Sequence, residues 1–270
     1  MLPVCVKPYS DELLYGWLVR LMEYNGLPNM RAFQSLYFHV GDEVTRATGK
    51  TRLDWIPGME RTCQEYEKIK SFPDVETMIE RMTGTLTVFP FLSYGNQAMR
   101  SQTMLRSEKI YKISLDSDVE QLCVCPQCMS EDRKRHGEAY YHTWHHLSGV
   151  RVCAVHRIPL KALHHNGRET LEDSSILETS EELHLPVDIE TECAISCFMK
   201  EMYERPPMID LRELQVIMKN RMESLGYSSE KPYGKLPADI RDSGFAGFLE
   251  RTLRVKSGGF RMAHGSVERE

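Results

Sequence analysis

The chain has 270 residues, 41% hydrophobic, 27% charged and 9% aromatic, which suits one large or two modest folded domains and excludes an intrinsically disordered chain. Its longest apolar runs span a few residues, far below the roughly 20 that a membrane-spanning helix needs. The start has neither the basic opening nor the apolar stretch of a secretory signal, so a cytoplasmic location with no membrane partner is expected. The net charge of -5 argues against a uniformly basic nucleic-acid binder, and eight cysteines without a secretory signal point to metal ligation rather than disulfides.

In chain order, Ser10 to Gly26 reads as a helix: Asp11 and Glu12 favour its positive end, and Leu14, Trp17, Leu18 and Leu21 recur at helical spacing. Gly26 followed by Leu27-Pro28 stops it. Met30 to Phe38 is a shorter helix placed to pack back on the first, and Val40 to Pro57 reads mostly as loop. Helical patterning returns at Asp74, with Val75, Met78, Ile79 and Met82 on one face and Gly84 at the end. From Gln121 to Lys161, cysteine, histidine, glycine and aromatic residues displace that pattern, predicting a small metal-organised module of short strands or loops.

Between Asn166 and Glu192 nine acids face Arg168 alone, so this stretch carries -8 and the rest of the chain +3; it reads as a solvated linker. Beyond it, Ala194, Ile195, Phe198, Met199 and Met202 form a helical stripe that Pro206-Pro207 ends. Asp210 and Glu213 fit a capping box ahead of Leu211, Leu214, Met218, Met222 and Leu225. Short helices over 237–242 and 244–254, joined by Asp242-Ser243-Gly244, make a candidate helix-turn-helix. The predicted fold is mainly α: a helical N-terminal domain with helix-turn-helix character (1–117), a central Cys3His zinc finger with short strands or loops (118–165), an acidic linker (166–187) and a helical C-terminal domain (188–270).

The sharpest chemical signal is a pair of pairs. Cys125-Pro126-Gln127-Cys128 and Cys153-Ala154-Val155-His156 stand 24 residues apart. A two-residue gap lets both side chains of a tight turn point at one ion, and two such turns complete a tetrahedron around Zn²⁺. Four protein ligands leave no position for water or substrate, so one structural ion is expected. Cys123 competes for a place in the set, as do His142, His145 and His146. Cys193 and Cys197 lie one helical turn apart without a second pair, which fits small buried apolar residues better than ligands.

Residues 231 to 261 hold seven bases, Lys231, Lys235, Arg241, Arg251, Arg254, Lys256 and Arg261, against three acids. The first six of these, on the candidate helix-turn-helix, are the predicted contacts to the phosphates of double-stranded DNA.

Two longer motifs carry a resemblance. Lys7-Pro8-Tyr9-Ser10-Asp11-Glu12-Leu13-Leu14-Tyr15-Gly16-Trp17-Leu18-Val19-Arg20-Leu21, closing with Asn25-Gly26-Leu27, resembles the opening of the TniQ family of transposon target-selection proteins. Cys125 to Asp132 followed by Trp144 to His156 resembles that family's "C-P-x-C-x-x-E-D … W-H-x-x-G-V-x-V-C-x-x-H" segment. Val88-Phe89-Pro90-Phe91-Leu92 is similar to the aromatic-proline run of the TnsD-like branch. The second Cys pair found soon after the first finger in many relatives is absent here, with Leu163-His164-His165 in its place. The resemblance implies a DNA-targeting adaptor, not an enzyme. Such an adaptor recognises target DNA or a CRISPR guide-RNA effector complex and recruits an AAA+ ATPase regulator and the transposase. It also implies partner contacts at Tyr15, Trp17 and Arg20, and a homodimer is a further association.

Enzymatic readings find few parts. No phosphate-binding loop and no H-E-x-x-H occurs. A zinc deaminase built on Cys63-Gln64-Glu65 leaves Cys153 and His156 unexplained, and a nuclease using His145 or His146 lacks an acidic partner set. A zinc-supported helix-turn-helix transcription regulator is the alternative function.

Overall fold

The computed structural model describes residues 3–37, 66, 69, 71–84, 122–147, 149–163, 171, 174–185, 187–205, 216–217, 220–221 and 223–224. The loop expected over Val40 to Pro57, the Val88–Leu92 run and the candidate helix-turn-helix of 231–261 lie outside these residues.

Helix α1 spans Leu14–Tyr24 and α2 spans Met30–Tyr37. α1 begins four residues later than expected, and Asp11 and Glu12 do not cap it. The residue before it, Leu13, offers no side-chain cap. The helix's first N–H groups are taken by other segments instead: Leu14 N–H donates to the Met82 carbonyl at 2.8 Å, and Leu13 N–H to that of Tyr141 at 2.7 Å. Gly26, at φ 67°, stops the helix as read. Helix α3, Val75–Arg81, starts where the sequence placed it, with the Asp74 carboxylate accepting the Thr77 N–H at 2.8 Å.

The segment expected to be a metal-organised module contains a helix that periodicity did not reveal. α4 covers Pro126–His136 and buries only Cys128, Met129 and Asp132, so no apolar stripe announces it. Its signals are local: a proline in the first turn, four basic residues in the last, and Gly137 beyond it at φ 87°. A three-stranded antiparallel sheet, in the order β1 (Cys123–Val124), β2 (Lys161–Ala162), β3 (Glu181–Glu182), pairs Cys123 with Ala162 and Lys161 with Glu182. Thr143–His146 forms a 3-10 turn.

β3 lies within the stretch read as a solvated linker, so part of that stretch is built into the fold instead. Leu171 is buried, Ile176 and Leu177 pack against the main core, and Leu183 N–H donates to the Leu160 carbonyl at 2.8 Å. Counting charge sees only side chains; both glutamates of β3 remain exposed while their backbone pairs. Leu14, Met78, Leu122, Met129, Leu163 and Leu171 belong to one buried cluster, so segments expected to form a domain, a finger and a linker share a core.

Helix α5, Ile189–Glu204, is capped by Asp188, which accepts the Thr191 N–H at 2.9 Å. Its inner face differs from the predicted stripe. Cys193, Ser196, Met202 and Tyr203 are buried, while Ala194 and Phe198 are exposed. Polar anchors set this rotation: the Tyr203 hydroxyl donates to the Arg81 carbonyl, and the Lys200 ammonium sits 5.5 Å from the Trp144 ring centre. No helix among the described residues is long and apolar enough to cross a membrane.

Candidate metal centre

Cys125 and Cys128 sit at the entry and first turn of α4, where the proline-started helix turns both thiols to one side. Cys153 and His156 come from a tight turn closed by Arg157 N–H to the Cys153 carbonyl and by Cys153 N–H to the Ile158 carbonyl, both 2.8 Å. That turn holds Arg157 at φ 56°, an uncommon conformation for a residue with a side chain. One ligand atom from each of the four residues lies within 4.8 Å of every other.

The spacing fits a single ion. Cys128 Sγ is 3.7 Å from Cys153 Sγ, and His156 Nδ1 stands 3.4, 3.3 and 3.5 Å from the sulfurs of Cys125, Cys128 and Cys153. A tetrahedral ion with bonds of about 2.3 Å to sulfur and about 2.0 Å to nitrogen has edges of roughly 3.8 Å and 3.5 Å. The backbone N–H of His156 also points at Cys153 Sγ, 3.3 Å away, an interaction that favours thiolate. The structure therefore brings together the four residues chosen from spacing, and the group is able to hold a metal ion.

The competitors have other partners. Cys123 is in β1, where burial pushes its thiol up to about 12, and its N–H donates to His146 Nε2 at 2.9 Å. The other nitrogen of His146 donates to the His142 carbonyl at 2.9 Å, and burial keeps this ring neutral. His145 is buried, with its Nε2 3.9 Å from Cys128 Sγ, beside the metal group but outside it. Cys193 is buried as expected, whereas Cys197 is exposed and rests against the Ala154 carbonyl.

His142 occupies a site that spacing did not suggest. Its Nδ1 meets Asp11 Oδ2 at 2.8 Å and its Nε2 meets Asp132 Oδ2 at 3.0 Å. Burial pushes the ring down, but hydrogen bonds to the two carboxylates outweigh it and raise the pKa to about 9. Asp11 further accepts the Tyr140 hydroxyl at 2.8 Å and the Trp144 indole N–H at 2.9 Å. A second network lies alongside. Arg20 donates to Glu12, at 2.7 and 3.0 Å, and to Glu138 at 2.5 Å, under a Tyr9 ring 4.3 Å from its guanidinium carbon. Complete burial pushes the Glu12 carboxyl up to about 7 against the pull of Arg20.

The hydrogen bonds of the two networks cross between the N-terminal segment and the segment that carries the metal group, except Glu12–Arg20 and Asp132–His142, which complete the networks from within. The TniQ family model matches residues 3–160, more than half of the chain. The chain belongs to the TniQ family. The TniQ match opens before the Asp11 and Glu12 networks and closes after His156, so it covers both the polar networks and all four metal-group residues. The TniQ domain is associated with target-site selection in DNA transposition. A search of curated proteins gave no match.

Within this TniQ domain, the residues expected to contact partners are interior. Tyr15, Trp17 and Arg20 are 2%, 0% and 7% exposed. The Trp17 indole donates to the Val6 carbonyl at 2.9 Å, and Arg20 is occupied by its two glutamates. Their placement assigns them to holding α1 in its surroundings rather than to an outer surface. The DNA-binding residues predicted on 231–256 lie outside the described residues.

Proposed function

We propose that this chain is a target-selection adaptor in bacterial DNA transposition. It recognises double-stranded DNA, or a guide-RNA effector complex, and recruits an AAA+ ATPase and the transposase. The observation that carries this reading is the TniQ match over 3–160, with the motifs of that span engaged in one core and one metal group. The Val88–Leu92 run and the basic 231–261 segment favour a TnsD-like member that touches DNA directly.

In this reading the ion is Zn²⁺, because three thiolates and one imidazole in a tetrahedron are a set that zinc prefers. With all four positions filled by protein, the ion's work is structural, and the adaptor has no catalytic step of its own. Purified protein is expected to hydrolyse neither ATP nor DNA.

The deciding experiment is capture of a purified AAA+ transposition regulator by the full chain on duplex DNA. Retention of the ATPase only when the chain is present supports the adaptor. Sequence-specific DNA binding without any ATPase retention would replace it with a transcription regulator. Titrating duplex at several salt concentrations, with wild type and an Arg251→Ala/Arg254→Ala variant, tests the basic segment. Loss of two phosphate contacts lowers the logarithmic salt slope by about two.

A further inference from the structure

The ligand His156 is not held by its turn alone. Its Nδ1 faces the three sulfurs, which leaves Nε2 as the nitrogen that carries the proton, and Nε2 lies 3.1 Å from Glu131 Oε1. Glu131 is one turn beyond Cys128 on α4. The helix that supplies two sulfur ligands therefore also supplies a carboxylate to the nitrogen ligand. Glu131 is 57% exposed in its side chain, whereas that of His156 is only 11% exposed.

We infer that Glu131 is a positioning residue of the metal centre: by accepting the Nε2–H of His156 it fixes the ring's tautomer and orientation, so that the Nδ1 lone pair meets the ion. A carboxylate behind a ligating histidine also raises the basicity of the ligating nitrogen. The inference rests on the metal reading above. The neighbouring Asp132 takes the corresponding place behind His142, which is not a ligand, so position on α4 decides which histidine each carboxylate serves.

The test is zinc affinity of the full chain, measured by competition with a chromophoric chelator for wild type, Glu131→Gln and Glu131→Asp. Cobalt substitution reports the ligand set through its thiolate charge-transfer and d–d bands. Glu131→Gln is expected to bind one ion with the same cobalt spectrum but with affinity lower by about tenfold, the smaller end of the usual effect because water reaches this site. It should also release metal at a higher pH. Glu131→Asp, one methylene shorter, should fall between the two. Because Glu131 is mostly exposed, the variants should fold, which circular dichroism of the zinc-loaded proteins would verify. Equal affinities and equal release profiles for all three proteins would overturn the role of Glu131. A wild-type chain that binds no zinc would instead overturn the metal reading on which it rests.

Discussion

Helix α1 buries nine consecutive residues, Leu14 to Met22, whereas α4 buries three of its eleven. The first is surrounded: Trp17, Leu18 and Leu21 are fully covered, and even its arginine is enclosed with a counter-charge. The second is held by a few directed side chains, two thiols at its start and carboxylates in the middle of its length. One helix is fixed by area removed from water and the other by bonds of defined direction. The two should fail under different insults.

Emptying or breaking the four-residue metal group has the largest expected effect and separates the two helices. Structural zinc contributes on the order of 10 kcal/mol to folding of small sites. Cys128→Ser, or chelation of wild type, should abolish metal binding and melt the region around α4, followed by hydrogen exchange of Pro126–His136. If that region exchanged no faster without metal, α4 would be held by packing like α1.

Next comes the charge enclosed with α1. Arg20→Met leaves Glu12 buried without its cation, which costs about 3–5 kcal/mol. Adding Glu12→Gln should restore much of that in denaturant melts, because it removes the stranded charge. Failure of the second change to help would mean that Arg20 stabilises through its own packing rather than by pairing.

The junction between the regions should respond to pH. The folded His142 pKa of about 9 exceeds the unfolded value of about 6.5. Its stabilisation is therefore fully present below about pH 6.5 and is lost as pH rises through about 9, amounting to up to about 3 kcal/mol. Asp11, Asp132, Tyr140, Trp144 and His145 surround the ring. Wild type should thus lose stability between those limits relative to His142→Gln; parallel pH profiles for the two proteins would remove the charged histidine from the account.

The smallest effect concerns fit. A Cβ on Gly16 would lie 2.9 Å from Tyr141 Cβ, closer than side chains tolerate. Gly16→Ala should cost about 1–3 kcal/mol through this overpacking, despite alanine's better helix propensity. A stabilised variant would show that α1 has slack against the metal-organised module.

What was legible in the sequence follows the same division. α1, α2, α3 and the body of α5 were readable because periodic apolar residues or an aspartate cap announce them locally. Cys125, Cys128, Cys153 and His156 were readable because two-residue gaps are a geometric code. α4 was not, since a helix held by directed bonds has no stripe. Glu131, Asp132 and Glu138 carry no such code, because their partners His156, His142 and Arg20 lie 25, 10 and 118 positions away. Only the quoted family-like string Glu131-Asp132 marked two of them, without saying why. The acidic run misled for the opposite reason: net charge says nothing about backbone pairing.

That pairing has a further consequence at the rim of the sheet. Unpaired strand edges invite other chains to add strands, the usual route to aggregation. Here the outer side of β1 has its Cys123 N–H committed to His146, and β3 presents two adjacent glutamates to solvent. One rim is plugged by a neutral imidazole and the other guarded by like charges that would repel a second copy of the same strand. Among the described residues, each rim of this three-stranded sheet thus carries an obstacle to the addition of a further strand.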